Sequence, residues 1–147
     1  MSVGATLYVR GSAEAVEVYR EAFGMALGYH VRYDDGSFLH AELDRDGGAG
    51  FAVSESADAA MPTSGRPTTS LGVELADEDE VRHACRLLSV GGRVLRPLGP
   101  LPWSPLSTDL VDRFGVCWYL YARQARPDDA AMEDWLREGN HLKGGDA

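Results

Sequence analysis

A chain of 147 residues with 44% hydrophobic and 25% charged residues matches a single globular domain, large enough to hold a core without disulfide staples. Its net charge of −9, with 14 basic residues against 23 acidic ones, argues against nucleic acid as a partner, and its one lysine, Lys143, argues against Schiff-base and P-loop lysine chemistry. No apolar run approaches the roughly 18 residues of a membrane span, the N-terminus lacks a secretory pattern, and Cys85 and Cys117 are too isolated for a disulfide framework; a cytoplasmic protein with two buried thiols is expected.

In chain order, Thr6 to Arg10 reads as a strand, and Ser12 is placed to cap a helix whose apolar positions are Val16, Tyr19 and Phe23, stopped by Gly24. Leu27 to Tyr33 alternates as a strand, Asp34-Asp35-Gly36-Ser37 is a hairpin turn, and Phe38 to Leu43 alternates again. After the turn from Asp44 to Gly50 comes a strand over Phe51 to Glu55. Residues 56–68, rich in Ser, Ala, Pro, Gly and Thr, read as a linker. The order then repeats. Ser70 to Leu75 is a strand, Asp77 to Glu80 a capping box, and Val81, Ala84 and Leu88 a helical stripe ended by Gly91-Gly92. Arg93 to Leu98 is a strand, and Pro97, Pro100, Pro102 and Pro105 break up the loop after it. Leu106 to Val111 and Val116 to Ala122 are strands around the turn Asp112 to Gly115. Val9 superposed on Leu75 aligns strand, helix and glycine stop in both halves, at an offset of about 66 residues. The expected fold is α+β: two βαβββ units, 5–55 and 69–122, joined by the linker. Residues 127–147 form a tail with a short amphipathic helix carrying Met132, Trp135 and Leu136, which docks either on its own domain or on a partner subunit.

Four local words carry a family resemblance. Glu17 to Gly24 looks like an "FYxxxFG" helix end, and Leu39-His40-Ala41-Glu42-Leu43 looks like an "hHAEL" strand. Leu87 to Gly92 resembles "LxxGG", and Asp112 to Trp118 resembles "DxFGVxW". In this order the chain resembles the PhnB-like (demethylubiquinone methyltransferase-like) branch of the glyoxalase/bleomycin-resistance/dioxygenase, or vicinal oxygen chelate, superfamily over about residues 5–122. The resemblance implies curled mixed sheets that pair into a cup. It also implies four metal-ligand places in metal-using members, carried over here to Gly4, a residue near Ser54 or Glu55, Ser70 and Tyr119. Gly4 offers no side chain and Ser70 and Tyr119 are poor ligands, so the usual metal site is expected to be lost and no cofactor is expected. A methyltransferase reading lacks the glycine-rich nucleotide loop after a strand.

Strand alternation provides a separate test, because residues i and i+2 share a face. Leu7, Val9, Leu39, Ala41, Leu43, Leu71, Val73, Leu75, Val116, Trp118 and Leu120 make the apolar faces. Opposite them fall Tyr8, Phe38, His40, Glu42, Glu74, Cys117, Tyr119 and Tyr121, a mixture of aromatic and polar groups that fits either a small-molecule pocket or a merely wet sheet face. Trp103, in the proline-rich loop, is expected as a lid on the cup or a dimer contact. His30, His83 and His141 are expected to be solvated. His40 with Glu42 is read as a hydrogen-bonded polar pair at the cup, with a general-base pair, or a relocated metal site completed by Glu74 or Tyr8, as the alternatives. The expected function is binding of a small organic ligand, planar or cationic, in a cup lined by Tyr8, Phe38, His40, Glu42, Glu74, Trp103, Tyr119 and Tyr121, with cation–π contact from the stacked Tyr and Trp rings and steering by the acidic surface, in a homodimer and without metal. The alternative is a metal-dependent isomerase, lyase or dioxygenase with ligands around His40, Glu42 and Glu74.

Overall fold

A computed structural model describes residues 1–140 and 142–144, so the expectation for His141 lies outside the described residues. The N-terminal unit comprises β1 (Thr6–Val9), α1 (Ser12–Phe23), β2 (Ala26–Arg32), β3 (Phe38–Asp44) and β4 (Phe51–Glu55). The C-terminal unit comprises β5 (Leu71–Leu75), α2 (Glu78–Leu88), β6 (Arg93–Leu101), β7 (Ser104–Val111) and β8 (Cys117–Ala122), followed by α3 (Asp129–Arg137). Each unit forms a four-stranded mixed sheet, ordered β1-β4-β3-β2 and β5-β8-β7-β6. In both, the first and last strands of the unit pair parallel while the rest pair antiparallel. The architecture is α+β, a doubled βαβββ unit with a short C-terminal helix. Among the described residues, no helix is long and apolar enough to cross a membrane.

Three local features differ from the sequence reading. First, α1 is not capped by Ser12. Gly11 stands at the cap in a left-handed conformation, and the carboxylate of Glu55, at the end of β4, accepts from the Gly11 and Ser12 N–H groups and from the Ser12 hydroxyl. The Ser12 hydroxyl in turn accepts from the Phe38 N–H at 2.8 Å. A carboxylate at this helix end opposes the positive end of the macrodipole.

Second, β3 slips by one residue against β2. Val31 pairs with His40 but Arg32 pairs with Phe38, which leaves Leu39 as the extra residue of a bulge. A one-residue slip exchanges faces. Phe38 is therefore in the core, 1% exposed, while Leu39 is 49% exposed, the reverse of the alternation prediction. Third, the prolines do not make a loop. β6 runs through Pro97 and Pro100, and β7 begins before Pro105. β6 is an edge strand with register shifts along its pairing with β7, and an edge strand tolerates the missing proline N–H.

One core serves both units. Leu7, Val9, Ala41, Leu43 and Val53 of the N-terminal sheet join Leu75, Leu110, Trp118 and Leu120 of the C-terminal sheet, with both helices between them. Trp118 sits at its centre, 0% exposed, with its ring 5.4 Å from that of Phe51 and 5.0 Å from that of Phe23. Two matching ion pairs clamp the units. Arg45, in the β3–β4 turn, meets Glu80 in the first turn of α2, and Arg113, in the β7–β8 turn, meets Glu14 in the first turn of α1. Because each sheet gives its apolar face to this shared core, its other face points away from it.

Candidate functional site

The outer faces carry most of the residues singled out by alternation, but on two separate sheets. On the N-terminal sheet, Tyr8 is 64% exposed. His40 Nε2 lies 3.5 Å from Glu42 Oε2, and the Tyr29 ring stands 6.2 Å from the imidazole. Phe38 is withdrawn from this face by the bulge; its ring carries the Arg32 guanidinium at 4.1 Å instead.

On the C-terminal sheet the side chains close in on one another. Tyr119 and Tyr121, two apart on β8, stack with ring centroids 4.8 Å apart and planes 15° from parallel. Trp103, at the tip of the β6–β7 hairpin, donates its indole N–H to the Tyr119 hydroxyl at 2.7 Å. Burial pushes the Tyr119 phenol up, against the pull of the Trp103 hydrogen bond and the Arg96 guanidinium. After β8 the chain folds back, with Gln124 donating to the Pro102 carbonyl. It delivers α3 so that the Trp135 ring meets Trp103 edge to face at 6.0 Å. Between this strap and the sheet lies a cavity of about 400 Å3, lined by Glu74, Trp103, Tyr119, Tyr121, Arg126 and Met132 among others, with no residue of the N-terminal sheet. Trp103 and Trp135 touch within the chain, but no residue of α3 is buried and Leu136 is exposed. A larger cavity, about 490 Å3, runs beside the free edge of β5. Two of its charged groups, Arg45 and Arg123, are already paired with Glu80 and Glu74, so it offers less free chemistry.

Alternation along β7 also places Ser107 and Asp109 on the outer face, opposite Leu106, Thr108 and Leu110; the sequence reading did not follow this strand. Asp109 pairs across the sheet with Tyr119. Its Oδ2 accepts from Arg96 Nε at 3.0 Å and from Arg66 Nη2, of the linker, at 3.3 Å. Arg96 Nη2 also donates to the Ser107 hydroxyl. Cys117 shares the face but is buried; burial pushes its thiol up while Arg66 and Arg93 pull the other way. The net direction is upward, away from the reactive thiolate.

The places that hold a metal in metal-using relatives do not fit an ion here. Gly4 has no donor side chain. Ser54, not Glu55, shares the outer face with its parallel partner Tyr8, while both Glu55 oxygens serve the start of α1. The Tyr119 hydroxyl accepts from Trp103. Within one chain the relocated set is not assembled either, since His40 and Glu42 lie on one sheet and Glu74 on the other. Among the described residues, no three His, Cys, Asp or Glu side chains gather as an ion would require. Of the other histidines, His30 is exposed, and His83 Nε2 lies 3.0 Å from the Glu21 carbonyl, linking α2 to α1.

The chain resembles solved structures along most of its length. Protein PA1353 from Pseudomonas aeruginosa is 26% identical, covering 85% of this chain and 99% of that one, with a TM-score of 0.65. The PhnB protein from Bacillus cereus is 28% identical, covering 83% and 99%, with a TM-score of 0.67. The fosfomycin resistance protein FosX from Listeria monocytogenes, at 14% identity with 84% and 94% covered and a TM-score of 0.61, shares the fold. No match is found among curated proteins. The family model for the Glyoxalase/Bleomycin resistance protein/Dioxygenase superfamily matches residues 3–120, and the chain belongs to that superfamily.

Proposed function

We propose that this protein binds a small organic molecule on the outer face of its C-terminal sheet, and that it does so without a metal. The observation that carries this reading is the stacked pair Tyr119–Tyr121 roofed by Trp103 and the C-terminal strap, with about 400 Å3 of space between them. Parallel aromatic rings under a tryptophan edge favour a flat ligand, which gains contact area at little entropic cost. Glu74, Arg126 and Gln124 supply polar groups at the rim. The metal-free part of the reading is supported by the donor set, in which Gly4, Ser70 and Tyr119 are poor ligands and the Glu55 carboxylate is engaged by Gly11 and Ser12.

The protein acts as a homodimer in this reading. Tyr8, Tyr29 and Leu39 leave an apolar surface on the outer face and rim of the N-terminal sheet, the kind of patch a partner covers. Because the two outer faces back onto one core, Tyr8, His40 and Glu42 join Tyr119 and Tyr121 in one cup only if a second copy brings its N-terminal sheet.

A thermal-shift screen of flat aromatic compounds tests the binding reading. Compounds that raise the Tm of the wild type are expected to lose most of that effect in Tyr121→Ala. Equal shifts in both proteins would move the site away from β8. Light scattering at about 50 micromolar tests the assembly, where a monomer mass would contradict it.

A further inference from the structure

We infer that the ligand of the C-terminal sheet carries an anionic group, and that Arg66 and Arg96 recognise it beside Tyr119. This inference rests on the binding reading above and adds the charge class of the ligand. It runs against the overall charge of −9, from which a cationic ligand would be expected.

The argument is one of local charge and geometry. Two guanidiniums converge on one oxygen of Asp109, from Arg96 at 3.0 Å and Arg66 at 3.3 Å. A single carboxylate neutralises one of them, so a positive charge is left over. Arg96 is largely buried between Asp109 and Ser107, which fixes its plane. The Arg66 side chain is 50% exposed, and only one of its nitrogens is engaged with Asp109, so N–H donors remain free. Directly across β7–β8 from Asp109 stands Tyr119, the first ring of the stacked pair. At the other end of the pair, Glu74 is matched by Arg123 at 2.9 Å, and Arg126 lines the same cavity. Of the guanidiniums near this face, Arg126 lines the cavity itself, Arg123 sits on Glu74, and Arg66 and Arg96 share Asp109 across the strand from Tyr119. A planar guanidinium fork matches a carboxylate, sulfonate or phosphate. Within one chain, a flat cation on the tyrosine rings would instead meet a surplus of like charge.

Three naphthalene probes of one shape test this: 1-naphthoate, 1-naphthylmethylammonium and neutral 1-naphthalenemethanol, each titrated by tryptophan fluorescence. At low salt, 1-naphthoate is expected to bind about tenfold tighter than the ammonium probe, with the gap shrinking as salt rises. Arg66→Gln, a change in the linker, is expected to reduce that ratio by roughly threefold or more while leaving the alcohol's affinity unchanged. An ammonium probe that binds as tightly as naphthoate, or a ratio unmoved by Arg66→Gln, overturns the charge assignment while leaving the binding reading intact if the alcohol still binds. Failure of all three probes to bind overturns both.

Discussion

The Tyr19 hydroxyl donates to Asp112 Oδ2 at 2.7 Å, joining α1 of the first unit to the β7–β8 turn of the second. The same oxygen accepts from the Trp118 indole at 2.8 Å, and Oδ1 accepts from the Phe114 and Val116 N–H groups. Burial pushes the Asp112 carboxyl up, and these four donors pull it back. Burial and the Asp112 charge push the Tyr19 phenol far above its ordinary range, which favours its protonated, donating form. The "DxFGVxW" word is therefore structural, a buried acceptor that ties two units together. Tyr19→Phe removes one donor and is expected to cost about 1–2 kcal/mol in urea denaturation. Asp112→Ala orphans four and is expected to cost at least about 3 kcal/mol.

Trp118 and Tyr121 lie three apart on one strand and face opposite ways, so their substitutions diverge. Trp118→Ala empties the centre of the core and is expected to cost about 3–5 kcal/mol. Tyr121→Phe, on the outer face, is expected to leave the denaturation midpoint nearly unchanged. The opposite ranking would mean that the register of β8 is displaced by one residue.

Two carboxylates are expected to make the fold sensitive to acid. Burial works against the charge of Glu55, but hydrogen bonds from the Ser12 N–H, the Ser12 hydroxyl and the Gly11 N–H outweigh it and hold the carboxyl below its ordinary value of 4.5. For Glu80 the Arg45 hydrogen bond leads, followed by the Ala76 N–H. A carboxylate with a lowered folded pKa contributes stability that is fully present above its unfolded pKa and is lost as pH falls through the folded one. Unfolding free energy is expected to be flat from about pH 7 to 5.5 and to drop below about pH 4.5, with a shallower drop in Glu55→Gln. An equally steep drop in that variant would remove Glu55 from the account.

Metal analysis checks the donor argument separately. Protein purified without chelator is expected to hold less than about one-tenth equivalent of zinc, nickel, iron or manganese, because tight binding needs three or four good donors. Stoichiometric metal would revive the enzyme alternative.

Much of this was legible in the residues. Alternation placed Tyr119 and Tyr121 opposite Trp118 and Leu120 because β8 pairs on both sides without a register shift. It failed at Phe38, where a bulge of one residue is invisible in an alternating string. It missed Asp109 and Arg96, whose strands run through a segment dense in proline. Glu55 entered the sequence reading only as a residue near a ligand place, because its partners, Gly11 and Ser12, lie more than forty residues away. The contact of Trp103 with Trp135 has no local signature, since it depends on the chain folding back after β8.

The central claim, that the outer face of the C-terminal sheet holds the ligand, is tested most directly by the three tryptophan indole N–H signals in a nitrogen-15 correlation spectrum. Trp103 donates to Tyr119 at the cavity, Trp135 packs on Trp103, and Trp118 donates to Asp112 in the core. Saturation with 1-naphthoate is expected to shift the Trp103 and Trp135 signals and leave Trp118 in place. A spectrum in which Trp118 alone moves, or in which none of the three moves, would contradict the account.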